Sequence, residues 1–368
     1  MFPYADNSER RGFYLAEDTR KPELSWLNVL FCLLVVFIHV AAHPVSTLDK
    51  ASWQYLLVLI PQRLAFVSVP GFFLLSGVKL FLREDKPAPL LPYYVKRGKA
   101  VLLPYLIAVA VYYLYFVWRG YFSFSIGDLV RYWLLGNVSS HFYFVVALIQ
   151  FILLVPLWRF VVRRYDPVLV LPFSLGLSWL CARHLGSFLA LLFPGLEFAY
   201  SDRVCFTYLI YYLAGCYIGK NYAAFLRLLE RNKTLIWFLF GCFTLGDSVL
   251  SALLFTGQSP VPYLEEVHIG YQMSGILFFF WLAARWKNKP LPHPVRALDS
   301  VSYLVYLYHG LAITVFQALA VRLGLVRIGT QFLLRTLFVY AVTIAAALLW
   351  REAVQWRKHV KKEGINHE

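Results

Sequence analysis

Long apolar stretches, each separated from the next by a short polar or basic stretch, dominate the chain from residue 24 to residue 352. A helix needs about 20 apolar residues to cross the hydrocarbon layer of a bilayer, and most of these stretches reach that length. The pattern predicts an all-α fold, a polytopic membrane helical bundle of about ten transmembrane helices. The predicted spans are 24–42, 55–82, 100–118, 141–158, 168–182, 204–220, 234–256, 267–286, 301–320 and 331–352.

The fifth span, 168–182, is shorter than the others, and the apolar residues 185–194 are too few to cross the bilayer alone. We expect 185–194 to form a re-entrant segment or an outer cap. Residues 1–23 are polar and of mixed charge, and the apolar run after them is too long for a signal peptide. We expect 1–23 to be a cytoplasmic segment, 24–352 a single integral-membrane domain and 353–368 a basic cytoplasmic tail.

Composition excludes an ordinary soluble domain. Apolar residues make up 60% of the chain and charged residues 15%, against about 45–50% and about 25% in soluble proteins. These polar residues are too few to cover a soluble surface, and we expect a lipid bilayer around the chain. The net charge of +15 would suit nucleic acid in a soluble protein. In a membrane protein such charge collects in cytoplasmic loops, so no nucleic-acid partner is expected.

The distribution of Lys and Arg predicts the topology. With residues 1–23 inside, 25 basic residues fall on the inner side, 7 fall on the outer side and 3 lie within spans. Because Lys and Arg are enriched in cytoplasmic loops, this asymmetry favours two cytoplasmic termini and an even number of spans.

Several ionisable side chains fall inside the predicted spans, where a charge costs a few kcal/mol or more. At ~1.5 Å of rise per residue, His39, Arg63 and Asp247 lie in the outer half of the bilayer and His309 lies near its middle. His141 opens the fourth span at the outer face. One interpretation is that these side chains snorkel to headgroups or form structural pairs; the other is that they converge on one functional site.

His39 and Arg63 have the side chains best suited to chemistry. An imidazole titrates near neutral pH, so His39 can accept a proton from a hydroxyl group. The guanidinium of Arg63 is a fixed, planar cation suited to an anionic or carbonyl oxygen. The pair lacks the spacing of metal ligands, so no metal site is predicted.

A second set of polar residues lies on the cytoplasmic side, at the inner end of the second span and in the loop that follows. These residues either only set the topology or form a site for a polyphosphate that faces the cytosol. No nucleotide-binding glycine motif accompanies them. The set consists of Lys79, Lys96, Arg97 and Lys99.

Six further stretches follow one another along the chain. They are WLNVLFCLLVVFIHV (26–40), VPGFFLLSG (69–77), KRGKAVLLPY (96–105), HFYFVVALIQFILLVP (141–156), YLAGCYIG (212–219) and SYLVYLYH (302–309). Each is mostly apolar and weak alone, but their order over ~280 residues resembles the acyltransferase-3 family. Members of that family are bacterial inner-membrane proteins that O-acylate surface polysaccharides and related glycans.

The resemblance implies that acyl-CoA, most simply acetyl-CoA, is a co-substrate from the cytosol and that no cofactor stays bound. It implies an acceptor hydroxyl on a glycan or lipid-linked saccharide at the outer side, other polysaccharide-assembly proteins as partners, and location in the bacterial inner membrane. The family's first-helix histidine falls on His39. Many members carry Arg where this chain has Asn28. This difference implies a different acyl donor, weaker binding of CoA or a loss of enzymatic activity.

On this reading, CoA phosphates lie near the cytoplasmic basic residues, and Ser76 and Gly77 let helix backbones approach along the pantetheine arm. His39 deprotonates the acceptor hydroxyl, or carries the acyl group itself as an acyl-imidazole, and Arg63 stabilises the oxyanion. Supporting or acceptor-binding roles are expected for Asp247, which would orient His39, and for His141, Glu266 and His309.

Two other functions fit the same pattern. A ten-helix bundle with polar residues at one depth is also typical of a transporter, here an exporter of a polysaccharide or its lipid-linked precursor. The chain could instead be a non-catalytic partner in exopolysaccharide assembly, with Asn28 marking lost chemistry. The sequence names neither the acceptor nor the acyl group, acetyl or succinyl.

Overall fold

The computed structural model describes residues 21–82, 89–195 and 197–365. The described residues are 83% helical and contain no strand. The all-α prediction is therefore confirmed. Most of the predicted cytoplasmic segment 1–23, and the last three residues of the predicted tail, lie outside the described residues.

Fifteen α-helices follow one another along the described residues. They are α1 Pro22–Thr47, α2 Trp53–Ala65, α3 Ser68–Phe81, α4 Leu90–Arg97, α5 Leu103–Trp118, α6 Ile126–Leu135, α7 Tyr143–Leu153, α8 Val155–Arg164, α9 Pro167–Leu192, α10 Leu209–Lys220, α11 Tyr222–Arg231, α12 Lys233–Phe255, α13 Leu264–Ala284, α14 His293–Arg322 and α15 Ile328–Ile365.

The bundle has the long apolar helices that a multi-pass membrane protein requires. In the described part of the chain, eight helices are long and apolar enough to cross a bilayer. In two of these eight, consecutive elements join into one helix: α2 with α3, and α4 with α5 through the π-helical turn Gly98–Leu102. A ninth span results if α6 and α7 count as one, with a 54° bend between them.

Prolines explain the places where predicted spans are broken. Pro70 has no N–H to donate to the carbonyl of Phe66, and α2 ends beside that residue before α3 begins. Pro104 follows the π-helical turn Gly98–Leu102, which absorbs the missing hydrogen bond. Pro156 lies just after the break between α7 and α8, so the predicted span 141–158 is two short helices.

Helix α9 differs from the expectation for its part of the chain. Residues Pro167–Leu192 form one continuous helix of 26 residues, so 185–194 is neither a re-entrant segment nor a separate cap. The prediction was wrong because the polar pair Arg183 and His184 interrupts the apolar run. The helix tolerates this pair because both side chains are exposed.

Helix α10 is the predicted sixth span, but it has only 12 residues and follows a 3-10 turn. It packs against α3 with the two backbones in close contact. A Cβ at Gly215 would stand 2.9 Å from the carbonyl carbon of Leu74, and one at Gly219 would stand 2.5 Å from the carbonyl oxygen of Val78. Residue numbers rise together along both helices, so α10 runs parallel to α3.

Helix α1 lies at the centre of the bundle and contacts α2, α3, α13, α14 and α15. One face buries Cys32, Val36 and Val40 in an apolar cluster with side chains of α14 and α15. The hydroxyl of Tyr340, on α15, donates to the carbonyl of Leu33 at 2.7 Å. A side chain on α1 can therefore meet side chains from most of the bundle.

The contact between α3 and α10 predicts the effect of adding one methyl group. A Cβ at Gly77 would stand 2.8 Å from the backbone nitrogen of Cys216, so Gly77→Ala should force the helices apart and cost about 1–3 kcal/mol. We expect a lower apparent melting temperature of the purified protein in detergent.

Gly241→Ala is the matched control, because no atom lies within 4 Å of a Cβ at that position of α12. It should leave the melting temperature unchanged or raise it, since Ala favours a helix over Gly. Equal melting temperatures for the two variants would contradict the close backbone contact.

Candidate functional site

Three histidine side chains from distant parts of the chain meet inside the bundle. His39 comes from α1, His141 from the 3-10 turn Ser140–Phe142 before α7, and His309 from α14. The ring centroids of His141 and His309 are 4.5 Å apart, those of His39 and His309 are 5.1 Å apart, and those of His39 and His141 are 5.7 Å apart. We call these rings the histidine cluster.

Both ring nitrogens of His141 are bonded. Nε2 lies 3.3 Å from the carbonyl oxygen of Leu307 and Nδ1 lies 3.1 Å from the hydroxyl of Ser139. Because a carbonyl only accepts, Nε2 carries the proton, and Nδ1 accepts from the serine. His141 is thus held in one orientation and one neutral tautomer.

Helix α14 approaches His141 closely because residue 310 is glycine. A Cβ on Gly310 would stand 2.8 Å from Cε1 of His141 and 2.9 Å from the hydroxyl oxygen of Tyr112. That hydroxyl donates to the carbonyl of Leu307 at 3.0 Å and accepts from the backbone N–H of Leu311 at 2.6 Å. Tyr112 thereby ties α5 to this part of α14.

The histidine cluster borders a small chamber of about 10 Å³. His39 and His141 contribute two sides of its wall, and apolar and aromatic side chains contribute the rest. A chamber of this size holds about one water molecule. The other lining residues are Val35, Val69, Phe72, Tyr143, Phe144 and Tyr306.

A larger cavity of about 200 Å³ lies next to this chamber. Two basic side chains, Lys79 and Arg97, line it, and by the predicted topology they lie at its cytoplasmic end. Its remaining wall is partly polar and partly apolar. That wall comprises Asn28, Phe72, Ser76, Tyr93, Val101, Phe144, Leu148, Ile152, Tyr212, Ser302, Tyr303 and Tyr306.

Three aromatic side chains separate the cavity from the chamber, because Phe72, Phe144 and Tyr306 line both. The ring of Phe144 is 5.8 Å from that of Phe72 and 5.5 Å from that of Tyr306. The hydroxyl of Tyr306 donates to the carbonyl of His141. We call these three side chains the aromatic partition.

The partition was missed as a functional feature at the sequence level, although each member lies within a motif quoted above. Phe72 belongs to VPGFFLLSG, Phe144 to HFYFVVALIQFILLVP and Tyr306 to SYLVYLYH. An aromatic residue in an apolar helix carries no sign of whether it packs in a core or closes a passage.

Of the six residues predicted to bind acyl-CoA, three line the cavity and three do not. Ser76, Lys79 and Arg97 line the cavity. Gly77 packs against α10 instead. The remaining two, Lys96 and Lys99, are exposed and are not among the lining residues.

Asn28, where many family members carry Arg, belongs to a polar cluster beside the cavity. Its side-chain nitrogen donates to Asp299 at 2.7 Å and to the hydroxyl of Ser302 at 2.8 Å. The hydroxyl of Ser25 donates to the other carboxylate oxygen of Asp299 at 2.8 Å. Asn28 is therefore bonded within the helix interface of α1 and α14. Asp299 was not identified as a candidate, because it precedes the motif that begins at Ser302.

Arg63 belongs to a separate ionic cluster between α2, α12 and α13. Its Nη2 atom lies 2.9 Å from Glu265 and its Nε atom lies 3.6 Å from the buried carboxylate of Asp247. The other oxygen of Asp247 lies 3.0 Å from Nδ1 of His268. We call Arg63, Asp247, Glu265 and His268 the ionic cluster.

Neither Arg63 nor Asp247 lines the chamber. The predicted roles of Arg63 as oxyanion donor and of Asp247 as the group that orients His39 do not fit this placement. Depth in the membrane put these side chains at the level of His39, but depth says nothing about the direction in which each points from its helix.

Glu266 lies beside the ionic cluster, at the start of α13. Its carboxylate accepts from Arg183 at 2.6 Å and from the indole nitrogen of Trp179 at 3.4 Å, both on α9. All three side chains are exposed to some degree. Glu266 thus lies on the surface between α9 and α13, away from the chamber lining.

Comparison with known proteins decides the family. A family model described as an acyltransferase domain, Acyl_transf_3, matches residues 21–351. The chain belongs to the acyltransferase-3 family. With its long apolar helices, it is a multi-pass membrane protein whose membrane bundle is the acyltransferase domain.

Two distant relatives cover most of this acyltransferase-3 chain. YfiQ of Bacillus subtilis (strain 168), provisionally named a membrane-bound acyltransferase, is 22% identical over 78% of the chain and 79% of its own length. A Staphylococcus epidermidis protein, provisionally named a poly-beta-1,6-N-acetyl-D-glucosamine export protein, is 23% identical over 78% and 80%. No solved structure matches the chain.

The ionic cluster predicts a dependence of stability on paired charges. Asp247→Leu removes a fully buried carboxylate and leaves Arg63, 13% exposed, without it. Breaking a buried pair that has no other partner costs about 3–5 kcal/mol, and the remaining contact of Arg63 with Glu265 makes the expected cost smaller here, whereas replacing both partners by apolar residues is often neutral. We expect Asp247→Leu to lower the apparent melting temperature and the double variant with Arg63→Leu to recover part of the loss.

A double variant no more stable than Asp247→Leu alone would contradict this pairing.

Proposed function

We propose that this protein is a membrane O-acyltransferase of a bacterial cytoplasmic membrane. It transfers an acyl group from cytosolic acyl-CoA to a hydroxyl of a cell-surface glycan or lipid-linked saccharide on the outer side. One observation carries the proposal: a cavity with a basic end and a histidine-lined chamber share the three side chains of the aromatic partition as a common wall. Membership of the acyltransferase-3 family supports it.

The cavity suits the two chemically different ends of acyl-CoA. Lys79 and Arg97 supply positive charge for the phosphates, which favour such donors strongly. Beyond them, Val101, Leu148 and Ile152 give an apolar wall for the pantetheine arm. The thioester then reaches the partition, where the rings must move apart to admit the acyl group.

The chamber suits the transfer step. His39 takes the proton of the acceptor hydroxyl, the oxygen attacks the acyl carbon, and the carbon–sulfur bond breaks to release CoA thiolate. A route through an acyl-imidazole on His39 uses the same geometry.

The acceptor site is proposed at the outer side, near the surface between α9 and α13. Glu266 and Arg183 offer a charged acceptor and donor for sugar hydroxyl groups, and Trp179 offers a half-exposed aromatic ring. His141 shapes the chamber wall, since both of its nitrogens are already bonded.

Export of a polysaccharide is the second candidate, and the name of the Staphylococcus epidermidis relative favours it. Export requires no acyl-CoA. Glycan uptake into inverted vesicles that persists in a His39→Ala variant, with no CoA release by the wild type, would support export over acyl transfer.

Removing the base should abolish transfer. We expect His39→Ala to lower CoA release from acetyl-CoA, with a crude envelope glycan pool as acceptor, by at least about a hundredfold. The measurement uses purified protein in nanodiscs at equal concentration. His43→Ala, one turn along α1, is the matched control and should retain wild-type turnover. Wild-type turnover in His39→Ala would remove His39 as the base.

Binding of acetyl-CoA should depend on the basic residues that line the cavity and not on basic residues next to them in the sequence. Arg97→Gln removes a cation that lines the cavity, so we expect KM for acetyl-CoA to rise about tenfold with kcat little changed. Lys96→Gln removes an adjacent, exposed cation outside the lining and should leave KM unchanged. An equal rise of KM in both variants would indicate a general effect of surface charge and contradict the proposed phosphate site.

A further inference from the structure

His309 is placed to act on His39 and not on a substrate. Its side chain is fully buried, with 0% exposure. It does not line the chamber, whereas His39 does. The nearest titratable groups are the two other rings of the histidine cluster, at centroid distances of 4.5 and 5.1 Å.

The hydrogen bonds of His309 fix its tautomer. Nδ1 lies 2.6 Å from the backbone carbonyl oxygen of Tyr306, so Nδ1 carries the proton. Nε2 therefore has a free lone pair in the neutral ring. This atom is buried and has no hydrogen-bond partner. Burying a hydrogen-bond acceptor without a partner is costly, so the unpaired Nε2 atom of His309 calls for an explanation.

The third ring cannot supply the missing partner. The Nε2–H of His141 donates to the Leu307 carbonyl, and Nδ1 accepts from Ser139. Among the described residues, no hydrogen bond holds either ring nitrogen of His39. Its ring is thus free to turn toward His309 at the observed centroid distance of 5.1 Å and interplanar angle of 44°.

We propose that Nε2 of His309 accepts the ring proton of His39 during acyl transfer, which makes His309 a proton-accepting, positioning residue. The inference rests on the proposed function of His39. As one nitrogen of His39 takes the acceptor's hydroxyl proton, the N–H on its other nitrogen passes its proton to His309. The positive charge then lies on the ring whose Nδ1–H is bonded to the Tyr306 carbonyl, whose dipole stabilises it.

The remaining atoms balance as in direct transfer. The hydroxyl oxygen bonds to the acyl carbon, and the electron pair of the broken carbon–sulfur bond goes to the CoA sulfur. The proton on His309 returns through His39 to that thiolate, so the products are the ester and CoA thiol. Both rings end neutral, ready for another turnover.

Two substitutions at residue 309 separate this role from packing. Asn places an amide nitrogen near the position of Nδ1, which can keep the bond to Tyr306, but it leaves the position of Nε2 empty. Gln reaches the position of Nε2 with an amide group. Comparing His309→Asn with His309→Gln therefore tests the Nε2 atom in a full-length protein, provided that both variants match the wild type in apparent melting temperature.

Reactivity of His39 toward diethyl pyrocarbonate gives a readout that does not require transfer. The reagent acylates a neutral imidazole nitrogen, and peptide mass spectrometry reports His39 separately from His43, the internal reference. We expect His309→Asn to slow both modification of His39 and CoA release, on the order of tenfold to a hundredfold. His309→Gln should restore most of the modification rate, because its amide oxygen can accept a hydrogen bond from His39, but it should leave CoA release slow, because an amide cannot take up the proton. Full recovery of CoA release in His309→Gln would overturn the proton transfer.

The outcomes test the role of Nε2 of His309 separately from the acyl-transfer function. His39 that reacts at the wild-type rate in His309→Asn, or equally slowly in both variants, would overturn the role of Nε2. Should His309→Asn not fold, slow modification of His39 in a folded His309→Gln would overturn it as well. Absence of CoA release by the wild type, with His39 reactivity still dependent on residue 309, would overturn the acyl-transfer function and leave the histidine pair standing.

Discussion

The site depends on two backbone carbonyl groups of α14 inside an apolar bundle. Imidazole N–H groups cannot be buried in hydrocarbon without acceptors, and the carbonyls of Tyr306 and Leu307 supply them for His309 and His141. The glycine at 310 lets His141 come this close. With two rings bonded to α14, the third ring, on the central helix α1, lines the chamber and has no hydrogen bond within the described part of the chain.

The apolar pattern of the sequence predicted the class of fold well and the course of individual spans less well. Length and apolarity identify a helix that can cross a bilayer, which is why α12 and α13 lie close to their predicted bounds, whereas α1 and α14 extend beyond theirs. They do not show where a helix breaks, and the breaks beside Pro70 and Pro156 divide predicted spans. They also missed the full length of α9, because Arg183 and His184, both exposed, interrupt its apolar run.

For the candidate site, the depth of each side chain in the membrane could be predicted from the sequence, but the direction in which each side chain points could not. His39, His141 and His309 were each identified from position along a span, and the structure brings all three together. Arg63 and Asp247 have similar predicted depths but pair with each other and with His268 in another helix interface. Which way a side chain points depends on helix rotation and on the neighbour across the interface, and a single sequence contains neither. The aromatic partition was missed for the same reason.

We propose that acyl-CoA binds in the cavity with its thioester at the aromatic partition. A cryo-EM map of the protein in nanodiscs with a non-hydrolysable acetyl-CoA analogue tests it most directly. We expect phosphate density beside Lys79 and Arg97, and the acyl end between Phe72, Phe144 and Tyr306, within reach of His39. Ligand density elsewhere on the protein, with this cavity unchanged at saturating analogue, would contradict it.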